Sequence, residues 1–81
     1  MDYDTDKVDE AVLALLYLGL HDTSEFGTGR AWKGFDWDAL DRLHAKGLIG
    51  DPRSKARSVP LGPEGIAAME AAFDKLSGKR P

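Results

Sequence analysis

Residues 37–73, WDALDRLHAKGLIGDPRSKARSVPLGPEGIAAMEAAF, decide the fold. They divide into a helix (WDALDRLHAKG), a short apolar strand, a basic turn (DPRSKAR), a second strand (SVPL) and an amphipathic helix (PEGIAAMEAAF). The first helix has its signals at both ends. Asp36 is a good N-cap, and Phe35 and Leu40 fall at the two positions of a hydrophobic staple. Asp38 in the first turn and Lys46 in the last suit the helix dipole, and Gly47 is a natural residue to follow the cap. The spacing predicts a helix over 36–46, with Trp37, Leu40, Leu43 and His44 on its buried face. Leu48 and Ile49 start a strand near 48–50. Val59 and Leu61 alternate with Ser58 and Pro60 in a second strand over 58–61. Pro60 has no N–H, so this strand lies at an edge or leaves that side unpaired. Pro63 suits the first position of a helix over 63–76, whose core stripe is Ile66, Met69, Phe73 and Leu76.

Upstream, a helix begins at Asp4 and runs to about Leu20. Asp4 is its cap, Asp6 faces the dipole, and Tyr3 and Val8 form another staple. Val8, Val12, Leu15, Leu16 and Gly19 make one apolar stripe; Leu13, Tyr17 and Leu20 make a second on the opposite side. A helix apolar on two sides is covered on two sides. Either the rest of the domain sandwiches it, or Leu13, Tyr17 and Leu20 meet another subunit. Between the helices, residues 22–35 (DTSEFGTGRAWKGF) hold three glycines and little periodicity, and Thr28 is placed to cap one short turn through GRAWK.

Helix, two-stranded wing, helix is a winged-helix layout. The expected class is α+β, winged-helix-like, with helices around a small two-stranded antiparallel wing. Eighty-one residues make one small domain over 1–77, with a frayed tail at 78–81. At 42% hydrophobic residues the chain is globular and not disordered. The absence of cysteine removes disulfides, thiol catalysis and cysteine zinc sites, and fits a reducing compartment. The longest apolar run, residues 11–18, is far short of the ~20 residues of a membrane span, and the acidic start (MDYDTD) is unlike a secretory leader. A cytoplasmic location is expected, with no membrane and no small-molecule ligand.

The net charge of −3 is unevenly spread. Residues 1–27 carry seven acids and one base. Residues 28–60 carry seven bases and four acids, a balance of +3. Such asymmetry speaks to partners more than to fold.

The run LHAKGLIGDPRSKARSVPLGPEG resembles the end of the recognition helix, the wing and the following helix start in MarR- and PadR-type regulators, where the pattern is "KGLI", a basic hairpin, then "V-x-L-T-x-x-G". Here Gly62 replaces the usual capping Thr and Pro60 interrupts the strand. That resemblance implies a winged-helix fold. Over a longer span, YDTDKVDEAVLALLYLGLHD, RAWKGFDWDALDRLHAKGLI and KARSV resemble a family of small bacterial proteins known as the domain of unknown function DUF6429. This resemblance implies a short stand-alone protein and no particular activity.

On a DNA-binding reading, Arg53, Lys55 and Arg57 on the wing, with Arg30 and Lys33 beside them, supply the phosphate contacts. On the other reading they are the cations of a solvated turn. The exposed face of the 36–46 helix, Asp38, Asp41, Arg42 and Ala45, carries two carboxylates of the wrong sign for phosphate, and Asp38 and Arg42 are spaced for an i,i+4 pair. Trp32 and Trp37 flank a basic residue, which suggests base stacking; as core residues, Trp37 is buried and Trp32 covers it. No catalytic constellation stands out. His21 and His44 have no motif linking them to a carboxylate, and GTGRAWKG lacks the glycine spacing of a nucleotide loop. The reading is therefore not an enzyme, with no catalytic, cofactor or metal residues. It is a small binding module that meets a protein partner or forms a homodimer through Leu13, Tyr17 and Leu20. Duplex DNA is the alternative partner.

Overall fold

The computed structural model describes residues 2–78. Among them the elements run α1 (Thr5–Leu18), β1 (Leu20–His21), β2 (Gly29–Trp32), α2 (Trp37–Ala45), β3 (Ser58–Leu61) and α3 (Pro63–Ser77). The class is mixed α+β, with three helices and a three-stranded antiparallel sheet ordered β1-β2-β3.

Local chemistry sets the helix ends. The Asp4 carboxylate accepts from the backbone N–H groups of Asp6 and Lys7 at 2.9 and 3.3 Å, the cap that the sequence predicts. α1 ends two residues short of Leu20, because Gly19 folds its N–H back onto the Leu16 carbonyl and releases the chain into β1. Asp36 caps α2 through the Ala39 N–H at 3.2 Å. At the other end Gly47, at φ +76°, closes a Schellman-type turn. Its N–H reaches His44, and the Leu48 N–H reaches Leu43 at 3.0 Å. α3 opens with Pro63 in its first turn, and Gly62 before it offers no side-chain cap. Of the tail expected at 78–81, Gly78 caps α3 and residues 79–81 lie outside the described residues.

The sheet corrects the sequence reading. A two-stranded wing from residues near 48–50 and 58–61 does not form. The Schellman turn commits Leu48, and Ile49 is buried, so Gly50 alone reaches across, its N–H donating to the Pro60 carbonyl at 2.8 Å. β3 pairs instead with β2: Gly29 opposite Leu61, Arg30 opposite Pro60, Ala31 opposite Val59, Trp32 opposite Ser58. Pro60 directs its carbonyl away from β2 to Gly50, which puts its N–H-less side outward, as an edge proline requires. The helix turn expected around GRAWK is also replaced. β1 and β2 form a hairpin closed by the Ser24 N–H on the Thr28 carbonyl (2.9 Å) and by the two hydroxyls at 2.7 Å. β2 alternates in an inverted sense, with its small residues Gly29 and Ala31 inward and Arg30 and Trp32 outward. A Cβ on Gly29 would come within 3.2 Å of the Leu20 side chain, so the inner face has no room for more.

α1 is the central element, packed by α3, by α2 and by the inner face of the sheet. Leu16, Leu40, Leu43, Val59 and Met69 are fully buried where these surfaces meet. α3 comes so close to the turn after α2 that Gly65 lies against the Leu48 carbonyl.

Candidate functional site

Charge is organised first inside the fold. Asp9 shares a helical face with Leu13 and Leu16 and is only 2% exposed. The Arg42 Nε donates to both of its oxygens at 2.9 and 2.8 Å, Arg42 Nη2 lies 2.7 Å from Oδ1, and Lys46 Nζ adds a contact at 3.4 Å. The Arg42 hydrogen bonds hold the Asp9 carboxyl below its ordinary value against the opposing effect of burial. Lys46 also reaches Asp6 at 3.6 Å, and Lys75 meets Glu10 at 3.2 Å. The acidic start and the basic middle of the chain thus complement one another across α1. Arg42 pairs with Asp9 and not with Asp38, as i,i+4 spacing had suggested. Between α1, the end of α2 and α3 lies a groove of about 270 Å³ with a floor that includes Leu13 and Ala72. Its rim charges are those already paired.

The self-association stripe is largely occupied within the chain. Leu13 is 6% exposed, Tyr17 packs its ring on Phe73 at 5.0 Å, and Leu20 packs against the core. Leu15 and Leu18 are the exposed large apolar residues of α1.

The basic residues divide into two groups. Arg30 donates to the Ser58 hydroxyl (2.7 Å) and carbonyl (3.0 Å), stapling the outer face of β2 to β3. Lys33 Nζ donates to the carbonyls of Pro52 and Ser54, both at 2.6 Å, and gives shape to the loop between Gly50 and β3. Arg53 meets Asp41 at 2.6 Å, which raises the guanidinium's pKa further. Lys55 and Arg57 are exposed, and their side chains make no hydrogen bond or ion pair among the described residues. Of the five cations grouped by the sequence, three have structural duties and two are free.

The tryptophans differ from their expected places. Trp37 is not core and Trp32 does not cover it. Trp37 is 51% exposed, with Lys33 Nζ 5.9 Å and the Arg53 guanidinium 5.5 Å from its ring centre. Trp32 is 55% exposed and stacks on His21 at 4.1 Å, with 21° between the rings. A Cβ on Gly19 would come within 3.2 Å of the Trp32 ring, so the bare glycine leaves space for the indole to lie across β1. His44, expected to be buried, is exposed, with Nδ1 3.2 Å from the Ile49 carbonyl. Among the described residues no group of three His, Cys, Asp or Glu side chains is placed to hold a metal, and no helix is long and apolar enough to cross a membrane.

Residues 4–79 match the family model described as Domain of unknown function (DUF6429). The chain belongs to the DUF6429 family. A relative from Sinorhizobium fredii (strain NBRC 101917 / NGR234), the uncharacterized protein y4hR, is 50% identical to this DUF6429 chain over 76 residues, covering 94% of the chain and 96% of the relative. No solved structure matches the DUF6429 chain.

Sequence reasoning missed two arrangements in this DUF6429 fold. Asp9 had a signal, its i,i+4,i+7 register with Leu13 and Leu16 on the buried side of α1. The Trp32–His21 stack had a weaker one, because β2 hides its alternation by turning its small residues inward.

Proposed function

We propose that this chain works as a small binding module and not as an enzyme. Its contact surface is the end of the sheet where Trp32 closes β2 and Trp37 opens α2. One observation carries the reading: both indoles are about half exposed yet contacted by a neighbour, Trp32 by the His21 ring and Trp37 by the Lys33 and Arg53 cations. Tryptophan is among the residues that dominate binding energy at interfaces, and a pre-positioned ring loses little freedom on binding. The carboxylates that line the groove between α1 and α3, Asp6, Asp9 and Glu10, are paired with Arg42, Lys46 and Lys75.

The partner is a macromolecule met in the cytoplasm. A duplex-DNA regulator of winged-helix type is the second reading, favoured by the exposed Lys55 and Arg57 in the loop before β3. Asp38 on the exposed side of α2, and the Arg53–Asp41 pair, weaken the field such a reader needs. Self-association through Leu13 and Tyr17 would require α3 to move, and Leu20 is half-buried in β1, so a homodimer would use the exposed Leu15 and Leu18 instead.

The test is capture by the tagged chain in its own cells, beside a Trp32→Ala/Trp37→Ala variant shown by circular dichroism to be folded. The wild type should retain a macromolecule that the variant loses. Equal retention by both, or none by either, refutes the surface.

A further inference from the structure

We propose that the ligand of this surface is a single-stranded nucleic acid, with bases stacking on Trp32 and Trp37 and phosphates meeting Lys55 and Arg57. The inference rests on the binding surface proposed above and names its occupant.

The placement of the two rings is the first ground. Trp32 is the last residue of β2 and stands opposite Ser58, and alternation puts it on the outer face of the sheet. Lys33, the next residue, turns the other way and lies near Trp37. The backbone N–H of Lys33 donates to the Arg57 carbonyl at 3.1 Å, so the basic loop enters β3 against the residue that follows Trp32. Trp32 thus stands across from the first residue after the basic loop, and Trp37 lies within 5.5 Å of Arg53 on that same loop. A flexible strand with unpaired bases can pass over that end of the sheet and offer a base face to each ring. A duplex keeps its base faces inside the stack and cannot.

Charge complementarity is the second ground. Of the seven bases in residues 28–60, Arg42 and Lys46 are spent on the carboxylates of α1, and the other five lie on β2, just after it, and in the loop before β3. The cations around Trp37 are anchored, Lys33 on two carbonyls and Arg53 on Asp41, so they hold the ring and are not free to leave for a partner. Lys55 and Arg57 remain for phosphate. A protein interface disfavours lysine and charge at its centre, whereas aromatic platforms set among cations are the usual surface for single strands. Two free cations give a modest field, so stacking must supply most of the affinity and the salt dependence must be shallow. For single strands each neutralised phosphate contributes about −0.7 to the slope of log K against log salt, so two contacts predict about −1.4.

The experiment uses the full chain with fluorescein-labelled eight-nucleotide single strands, one RNA and one DNA, read by anisotropy and by quenching of the intrinsic tryptophan fluorescence. A duplex DNA of the same length and heparin serve as the shape and charge controls. The expected result is binding by single strands with tryptophan quenching, and a salt slope near −1.4. RNA and DNA arms then show which sugar is preferred. Trp32→Ala should weaken binding at least about fivefold, the lower end of one lost base stack, and Trp32→Phe should restore part of it. Lys55→Ala/Arg57→Ala should flatten the salt slope and leave the quenching. Circular dichroism checks the fold of each variant. The proposal is overturned by duplex or heparin binding as tightly as the single strands, by affinity unchanged in the Trp32 and Trp37 variants, or by no binding at about 1 mM chain. If the oligonucleotides fail while capture from cells still depends on the tryptophans, the ligand class falls and the binding surface stands.

Discussion

Gly65→Ala pits two known effects against each other. Gly65 lies in the first turns of α3, where replacing glycine by alanine in a helix normally stabilises by about 1 kcal/mol. Here the new Cβ would fall on the carbonyl oxygen of Leu48, with the carbonyl carbon 3.1 Å away and Leu61 Cδ2 at 3.4 Å. The obstacle is backbone, and it is held because the Leu48 N–H is bonded to Leu43 and the Gly50 N–H to Pro60. Nothing there can rotate aside, so the overlap belongs at the upper end of overpacking costs, about 3 kcal/mol. Subtracting the propensity gain of about 1 leaves a net loss of about 2 kcal/mol. For a chain of this size that lowers Tm by about 8–16 °C. The assay is thermal and urea unfolding followed at 222 nm, with Gly34→Ala as control. A Cβ on Gly34 meets nothing within 4 Å, so the stability of that variant should change by less than about 0.5 kcal/mol. A Gly65→Ala chain as stable as the wild type, or more so, would refute the close approach of α3 to the turn after α2.

The Asp9 carboxyl is held below its ordinary value of 3.8, so the stability it contributes is present above about that pH and is lost as pH falls through the lower folded value. Asp9→Asn should accordingly be less stable than wild type at pH 7 by about 2 kcal/mol, with the gap closing in acid; a gap constant between pH 7 and 2 would sink this assignment. Leu13→Glu should destabilise by about 3 kcal/mol rather than yield a well-folded surface variant, since it puts a carboxylate under α3; urea melts decide. Gly47→Ala should cost about 1 kcal/mol because φ is +76°, although a Cβ there has open space, whereas Gly34→Ala should be neutral or slightly stabilising. Gly62→Ser, at an extended N-cap with no side-chain bond, should gain a few tenths of a kcal/mol.

The helices were legible because each carries its own start and stop. Asp4, Asp36 and Pro63 begin the three helices, and Gly47 ends α2. The strands were only half legible. Val59 and Leu61 announce β3 by alternation, but its partner is set by space and not by sequence proximity. Leu48 and Ile49 have strand-like side chains, but the Leu48 N–H is already used in ending α2 and the Ile49 carbonyl faces His44 Nδ1, while GRAW, read as a turn, has the small inward residues that let it lie against α1. The basic residues of the candidate site were visible as a cluster. Their division into anchored Arg30, Lys33 and Arg53 and free Lys55 and Arg57 was not, because it depends on carbonyls and carboxylates brought in by other elements. Trp37 looked buried because helical spacing aligns it with Leu40. At the first helical position it lies beyond the edge of the core.

Pro60 has a consequence for how this fold can be approached. Many proteins recruit partners, or aggregate, by adding a foreign strand to an open sheet edge through a ladder of main-chain bonds. Along β3 such a ladder is interrupted at its middle: Pro60 offers no donor, and its carbonyl is already taken by Gly50. At the opposite edge β1 is two residues long, too short to template a register. The sheet is thus closed to extended peptides on both flanks, and a visitor must be recognised through side chains on its faces and ends. On the binding surface proposed above, substitutions at Trp32, Trp37 or the basic loop would change those side chains and leave the backbone pairing of the three strands in place.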